Sequence, residues 1–339
     1  MRKPQCLVAG VCAVVGVVSS AVAVRAQTAP PPAAPAEWRG LIGEYGEGAM
    51  VLERDSRLVL RLDSTIERRL TPVGRDRFAA LALGVRGHGQ VRFARGTSGN
   101  AASLLLGDSV LLRRALGADD GAVFRITPLR PVDELRRVAD SATPPVETRS
   151  FRPSELVELV TLDSTIQLDI RYAGDRNFLG APFYAEARAF LQRPAAEALV
   201  RAHQKLAAAG LGLLIHDAYR PWAVTRMFWD ATPPAQREFV ANPAQGSRHN
   251  RGAAVDLTLF ELSTGAAVEM PGGYDEFSRR SYPDYPGGTA RQRWYRDLLR
   301  RTMEGEGFTV FEAEWWHFDW KDWREYPIGN VPFDGIRKR

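Results

Sequence analysis

From residue 38 to about 130, large apolar residues come in short runs between turn-forming residues, as in Ala49-Met50-Val51-Leu52, Leu58-Val59-Leu60-Arg61-Leu62, Val91-Arg92-Phe93 and Ser109-Val110-Leu111-Leu112. No stretch here keeps the three- and four-residue apolar spacing of a helix, so the region reads as a small antiparallel β domain. Past residue 154 the pattern changes. Helical spacing over 194–209 stops at Gly210, a good C-cap, and an apolar strand follows at 211–215. Pro221 opens another helix, 253–260 reads as a strand, 294–305 as a helix and 308–311 as a strand. This mixture predicts an α+β domain over 154–334, a sheet with helices packed on it.

Residues 27–37 form an Ala/Pro tether too poor in large apolar side chains to bury a core, and 131–153 form a second polar, Pro-containing linker. The pentapeptide Leu62-Asp63-Ser64-Thr65-Ile66 returns at 162–166, but its flanks diverge at once, so it does not mark a duplication. Before the tether, Met1-Arg2-Lys3 leads into an uncharged apolar run over 6–24. Val24-Arg25-Ala26 then places small residues where a signal peptidase needs them. Export with cleavage after Ala26 is expected over a membrane anchor, because Ala, Gly and Ser dilute the run. The mature chain is then periplasmic or secreted and carries no membrane span.

Both cysteines, Cys6 and Cys12, lie in that leader, which excludes disulfide, thiol-nucleophile and thiolate-metal chemistry from the mature chain. Losing 1–26 removes three basic groups and no acid. The net charge drops from +5 to +2, with 42 basic against 40 acidic residues, and nothing argues for nucleic acid.

The segment Ser247-Arg248-His249-Asn250-Arg251-Gly252-Ala253-Ala254-Val255-Asp256 carries the first chemical signal. Asp256 sits inside an otherwise apolar strand, where a carboxylate is costly unless a charge or a metal compensates it. His249 precedes it across a Gly-containing turn and can fold back to the same point; pairing of Asp256 with an arginine is the plainer reading. In Glu312-Ala313-Glu314-Trp315-Trp316-His317-Phe318, an acid and an imidazole stand three residues apart after a predicted strand. Together the segments supply two imidazoles and one carboxylate, a catalytic zinc set with one position left for water, and Glu314 is placed to take that water's proton. The same donors also make the facial triad of non-haem iron oxygenases, although six residues between His249 and Asp256 are unlike the usual separation of one. Asp217-Ala218-Tyr219-Arg220-Pro221 ends a buried strand. Arg220 can face the charge that builds on a carbonyl oxygen or simply pair with Asp217.

Ser247-x-His249-x-x-Gly252-x-Ala254-x-Asp256, Glu314-x-x-His317 and Asp217-x-Tyr219-Arg220-Pro221 together resemble the D-alanyl-D-alanine dipeptidases of the vancomycin-resistance type, over about residues 168–333. The resemblance implies an antiparallel sheet with packed helices, of the D-Ala-D-Ala metallopeptidase/hedgehog type. It implies one zinc per chain on His249, Asp256 and His317, Glu314 as general base and Arg220 on the developing oxyanion. It also places Tyr172, Ser247 and Asp275 around the ends of a bound dipeptide, with Asp275 on the ammonium. The implied reaction is hydrolysis of a small D,D-dipeptide, in cell-wall turnover or glycopeptide resistance. A D,D-carboxypeptidase acting on longer wall peptides is the alternative.

His216 stands where relatives often carry an aromatic residue and is expected to be a satisfied core histidine. His203, beside Gln204 and Lys205, is expected at the surface, and His88, between glycines, is expected to face solvent. The β domain receives no chemistry and no partner from its sequence.

Overall fold

The computed structural model describes residues 29–64, 66–82, 88–117 and 122–336, so the expected leader and its cleavage site lie outside the described residues. Among the described residues no helix is long and apolar enough to cross a membrane. After the one-turn helix α1 (Ala36–Arg39), eight strands follow in chain order: β1 (Gly43–Tyr45), β2 (Ala49–Arg54), β3 (Arg57–Arg61), β4 (Glu67–Gly74), β5 (Arg77–Ala82), β6 (His88–Arg95), β7 (Ala101–Leu106) and β8 (Ser109–Leu112). Each pairs antiparallel with the next, and a bridge from Tyr45 to Arg113 joins the last to the first, closing an up-and-down barrel. The two-residue turn between β2 and β3 has Asp55 and Ser56 at φ 50° and 58°, the left-handed pair that a tight hairpin of this twist requires.

The barrel interior is filled by Tyr45, Val51, Leu60, Phe78, Phe93 and Leu104, among others, so it is a packed core rather than a ligand cup. Strand β2 is buried at five successive positions because alternation sends Ala49 and Val51 inward and Met50 and Leu52 outward onto the rest of the chain.

The second unit starts earlier than the sequence suggests. Phe124 and Ile126 already pack on its core. The stretch 131–153, expected as a linker, contains helix α2 (Val132–Asp140), whose Leu135 and Ala139 are buried in that core. Glu147 is tied down as well, accepting from Arg251 Nη2 at 2.7 Å and from the Ile328 backbone N–H at 2.8 Å. The Ala/Pro tether, too, is not a free leash, since the Pro31 carbonyl accepts from Arg291 Nε at 2.8 Å.

Beyond α2 come β9 (Leu156–Glu158), α3 (Leu159–Leu162), β10 (Gln167–Leu168), β11 (Phe190–Gln192), α4 (Arg193–Ala207), β12 (Leu211–Asp217), α5 (Trp222–Ala231), β13 (Ala254–Glu261), α6 (Ala290–Glu304), β14 (Phe308–Phe311) and β15 (Glu314–Trp320). Five strands form one sheet in the order β10-β12-β13-β15-β14, antiparallel except for the edge pair β10 and β12, which is parallel. The α+β architecture is the expected one; the parallel edge is the departure from an antiparallel sheet. Helices α4 and α6 pack against the sheet and each other, with Ala202, Leu206 and Leu299 meeting Leu213, Val255 and Leu257. Strands β9 and β11 make a separate small ribbon.

His203 corrects the expectation of a surface residue: it is 4% exposed and lies between α4 and β12. Its Nδ1 accepts the Leu213 backbone N–H at 3.0 Å, so Nε2, 2.9 Å from Thr165 Oγ1, carries the proton. His203→Ala leaves a buried N–H unpaired and should cost roughly 1–3 kcal/mol. Burial lowers this imidazole's pKa from 6.5. The folded state therefore binds the proton more weakly than the unfolded chain, and the contribution is full above about pH 6.5 and fades as pH falls below it. Urea unfolding of both proteins at pH 7.5 and 5.5 should show the gap between them shrinking at acid pH.

Candidate metal centre and active site

Three neighbouring strands bring the chemistry to one level of the sheet. The register sets Asp217 of β12 opposite Asp256 of β13, and Asp256 opposite His317 of β15, so their side chains share a face. Asp217 reaches this position after a bulge between Ile215 and Asp217. The extra residue, His216, is buried, packs against Tyr274 with ring centroids 4.6 Å apart and sets Nδ1 3.3 Å from the Asp169 carbonyl. Burial drops its pKa to about 4, as befits the satisfied, neutral core histidine expected.

His249 arrives from the short 3₁₀ turn His249–Arg251, ended by Gly252 at φ 62°. The left-handed backbone favours glycine here, and a Cβ would also stand 2.3 Å from Leu156 Cδ2, so that side chain would have to shift. Asn250 holds the turn in place. Its amide donates to the Arg220 carbonyl and to Thr225 Oγ1, both at 2.8 Å, and its oxygen accepts the Ser247 N–H at 2.7 Å.

His249 Nε2 and His317 Nδ1 are 3.0 Å apart and stand 3.3 and 3.0 Å from Asp256 Oδ1. A tetrahedral ion bound at about 2.0–2.1 Å needs ligand atoms roughly 3.3 Å apart, close to this triangle. Asp256 Oδ1 is also buried and accepts no hydrogen bond among the described residues, which is costly for a carboxylate oxygen unless a cation meets it. These three buried residues therefore fit a metal ion. Their other atoms are held: His249 Nδ1 lies 2.6 Å from the Ala218 carbonyl, His317 Nε2 2.9 Å from Asp319 Oδ1, and Tyr274 donates to Asp256 Oδ2 at 3.1 Å. Such partners fix ring orientation and tautomer at a metal site. For His317, burial disfavours the imidazolium, but Asp319 and Asp256 outweigh it and raise the pKa to about 10. A metal ion must displace that proton to bind.

Around the triangle, Tyr172, Arg220, Ser247, Asp275 and Glu314 line the same cavity of about 110 Å³, well below the roughly 300–1,000 Å³ of sites for drug-sized ligands. All eight site residues read from the sequence thus converge. Glu314 Oε2 is 3.7 Å from His317 Nδ1, and burial pushes its carboxyl up to about 7, with His317 and Arg220 pulling against Asp256. Arg220 makes the pair with Asp217 weighed for it and still lines the cavity. Its Nε and Nη2 bind Asp217 Oδ2 at 2.8 and 2.7 Å, and its guanidinium, over the Tyr172 and Phe228 rings, remains part of the cavity wall. Tyr184 donates to Asp217 Oδ1 at 2.7 Å, so the arginine's anchor is itself fixed.

Tyr172 donates to both Asp275 oxygens, at 3.0 and 2.9 Å. Burial, and then the Asp256 charge, raise the Asp275 pKa well above the carboxylate range. Ser247 Oγ accepts the His249 N–H at 3.2 Å at the cavity edge. Phe178, Phe228, Phe239, Phe277 and Phe311 supply the apolar wall, with Phe239 stacked on Phe277 at 4.9 Å. Sequence reasoning missed this wall, together with Asp319 and Tyr274 as partners of the His317 and Asp256 side chains. Asp319 had a signal, because residues two apart on a strand share a face and it stands two beyond His317.

Residues 152–330 match the sequence family described as D-ala-D-ala dipeptidase; the barrel lies outside the match. The D-alanyl-D-alanine dipeptidase of Escherichia coli (strain K12) is 35% identical over 175 residues, covering 52% of this chain and 89% of the relative. That of Enterococcus faecium is 33% identical over 187 residues, covering 50% and 91%. That of Streptomyces coelicolor is 34% identical over 191 residues, covering 51% and 93%.

Proposed function

Because the chain belongs to the D-ala-D-ala dipeptidase family of metallopeptidases, we propose that it hydrolyses D-alanyl-D-alanine to two D-alanines at a zinc ion held by His249, Asp256 and His317. The observation that carries the reading is the buried Asp256 Oδ1, without a hydrogen bond among the described residues and faced by two imidazole nitrogens at 3.0 and 3.3 Å. Two nitrogens and one oxygen are a donor set suited to zinc, and the ion, when bound, lowers the pKa of water and polarises a carbonyl.

The protein's own groups divide the remaining work. Glu314 takes the proton of the attacking water on a carboxylate oxygen and hands it to the departing amine. Arg220, aimed by Asp217, faces the negative charge that grows on the scissile carbonyl oxygen. Asp275, steadied by Tyr172, receives the substrate ammonium, and Ser247 serves the substrate's other end. The phenylalanine wall accommodates the two methyl groups and excludes water. A D,D-carboxypeptidase acting on longer peptides is disfavoured, because an acylated nitrogen offers Asp275 no charge.

Elemental analysis of purified protein should find one zinc per chain, and a strong chelator should abolish dipeptide hydrolysis until zinc is restored. Full activity after verified metal removal would overturn the reading. The expected leader supports action in the periplasm or medium, and the dipeptide substrate supports a role in wall-peptide turnover or glycopeptide resistance. N-terminal sequencing of the exported protein is expected to start at Gln27.

A further inference from the structure

The barrel has no part in the family match, yet several of its contacts with the second unit fall on residues 271–289, between β13 and α6, and on the first turn of α6. The 271–289 segment carries Tyr274 and Asp275. On the barrel's outer face, Met50, Leu52 and Val59 pack around Tyr285. At the tip of the β2–β3 hairpin, Glu53 is buried, and its Oε2 accepts the Ala290 N–H at 2.7 Å in the first turn of α6. Its backbone N–H donates to the Gly288 carbonyl at 3.1 Å, and its own carbonyl accepts from Arg293 Nη2 at 2.6 Å. Where the chain leaves the barrel, Gly117 lies at φ 141°, and a Cβ there would fall 2.4 Å from the Glu276 side chain.

Glu276 organises the segment from inside. It is buried, accepts the Gly273 N–H at 3.1 Å, and binds Arg280 Nε and Nη2 at 2.6 and 2.8 Å. Its chain neighbour Asp275 sits at φ 56°, a left-handed turn conformation that aspartate tolerates and that sets where its carboxyl points. The barrel meets the chain that follows this residue twice, through Gly117 against Glu276 and, farther on, through Glu53 at Gly288 and the Tyr285 pocket.

We propose that the barrel is an intramolecular clamp that positions the 271–289 segment, and so sets how well the enzyme binds a free amino terminus. Glu53 and Gly117 are positioning residues. What Asp275 recognises rests on the dipeptidase reading; the clamp itself does not.

The test compares full-length wild-type protein with Glu53→Gln and Gly117→Ala. Both variants should keep their metal and raise KM for D-Ala-D-Ala on the order of tenfold with kcat within about twofold, the pattern of a lost binding contact. Their preference for D-Ala-D-Ala over its N-acetyl form should fall about tenfold, and amide exchange across 273–281 should quicken. Val110→Ser, on an exposed barrel position, should change none of these. Unchanged KM together with wild-type exchange in a folded variant overturns the clamp; should one variant fail to fold, the other decides. If wild-type protein does not cleave D-Ala-D-Ala, the dipeptidase reading falls, and the exchange measurement still decides the clamp.

Discussion

Glu314→Ala is expected to hold as much zinc as the wild-type enzyme while hydrolysing D-Ala-D-Ala on the order of 10²–10⁴ times more slowly. Glu314 Oε2 stands 3.7 Å from His317 Nδ1 and is not one of the three atoms that converge on the metal position. Removing it therefore takes away a proton acceptor and leaves the donor set whole. Asp256→Ala should behave differently, losing metal and activity together, because it deletes the oxygen that two imidazoles face at 3.0 and 3.3 Å. Elemental analysis beside a single-turnover assay separates the two outcomes. Equal metal loss in both variants would make Glu314 a ligand or a structural acid, and the assignment of the base would fail.

A dipeptide whose amino group is acylated should be cleaved about 10⁴-fold less well than D-Ala-D-Ala, the scale on which a site built for a polar group rejects an analogue lacking it. Among the described residues no Lys or Arg side chain forms an ion pair with Asp275. Its partner in the fold is the Tyr172 hydroxyl, and burial holds its pKa well above the usual range. An arriving ammonium supplies the missing charge. An amide nitrogen brings no such charge and forfeits the charge-assisted contact, at a cost of roughly 1–3 kcal/mol or more, before any steric conflict. Asp275→Asn should narrow the gap by weakening the preferred substrate. Comparable kcat/KM for D-Ala-D-Ala and for a pentapeptide ending in D-Ala-D-Ala would favour the carboxypeptidase instead.

Two of the three candidate metal ligands were legible because they violate their surroundings: Asp256 is a charge in an apolar strand, and His317 an imidazole among tryptophans and phenylalanine. Tyr172 and Asp275 carry no such mark. Tyr172 looks like any core aromatic, and only the family resemblance pointed to it. His203 was misread from its exposed neighbours Gln204 and Lys205, although its helix face is that of Leu199 and Leu206, four residues before and three after, both buried. Helix α2 was hidden by its own polarity, since Leu135 and Ala139 are its two buried residues among nine. Barrel closure was out of reach for a different reason. It depends on Tyr45 meeting Arg113 across most of the domain, a pairing that no local pattern announces. Strand β4 was equally silent, with Leu70 as its one buried side chain.

The row formed by Asp217, Asp256 and His317 has a consequence for how the chain assembles. Strands β13 and β15 share three register pairs, Ala254 with Asp319, Val255 with Phe318 and Asp256 with His317. A slip of one residue would turn His317 to the opposite face and bring a tryptophan or a phenylalanine beside Asp256. Arg220 pairs with Asp217, but Asp256 Oδ1 has no hydrogen bond among the described residues, so native pairing buries a carboxylate oxygen suited to a cation. An ion that binds only the correct alignment rewards it alone. Refolding with zinc present should therefore reach the native register faster, and with fewer misaligned chains, than refolding in chelator, making the catalytic ion also the pin that fixes which residues of the two strands stand side by side.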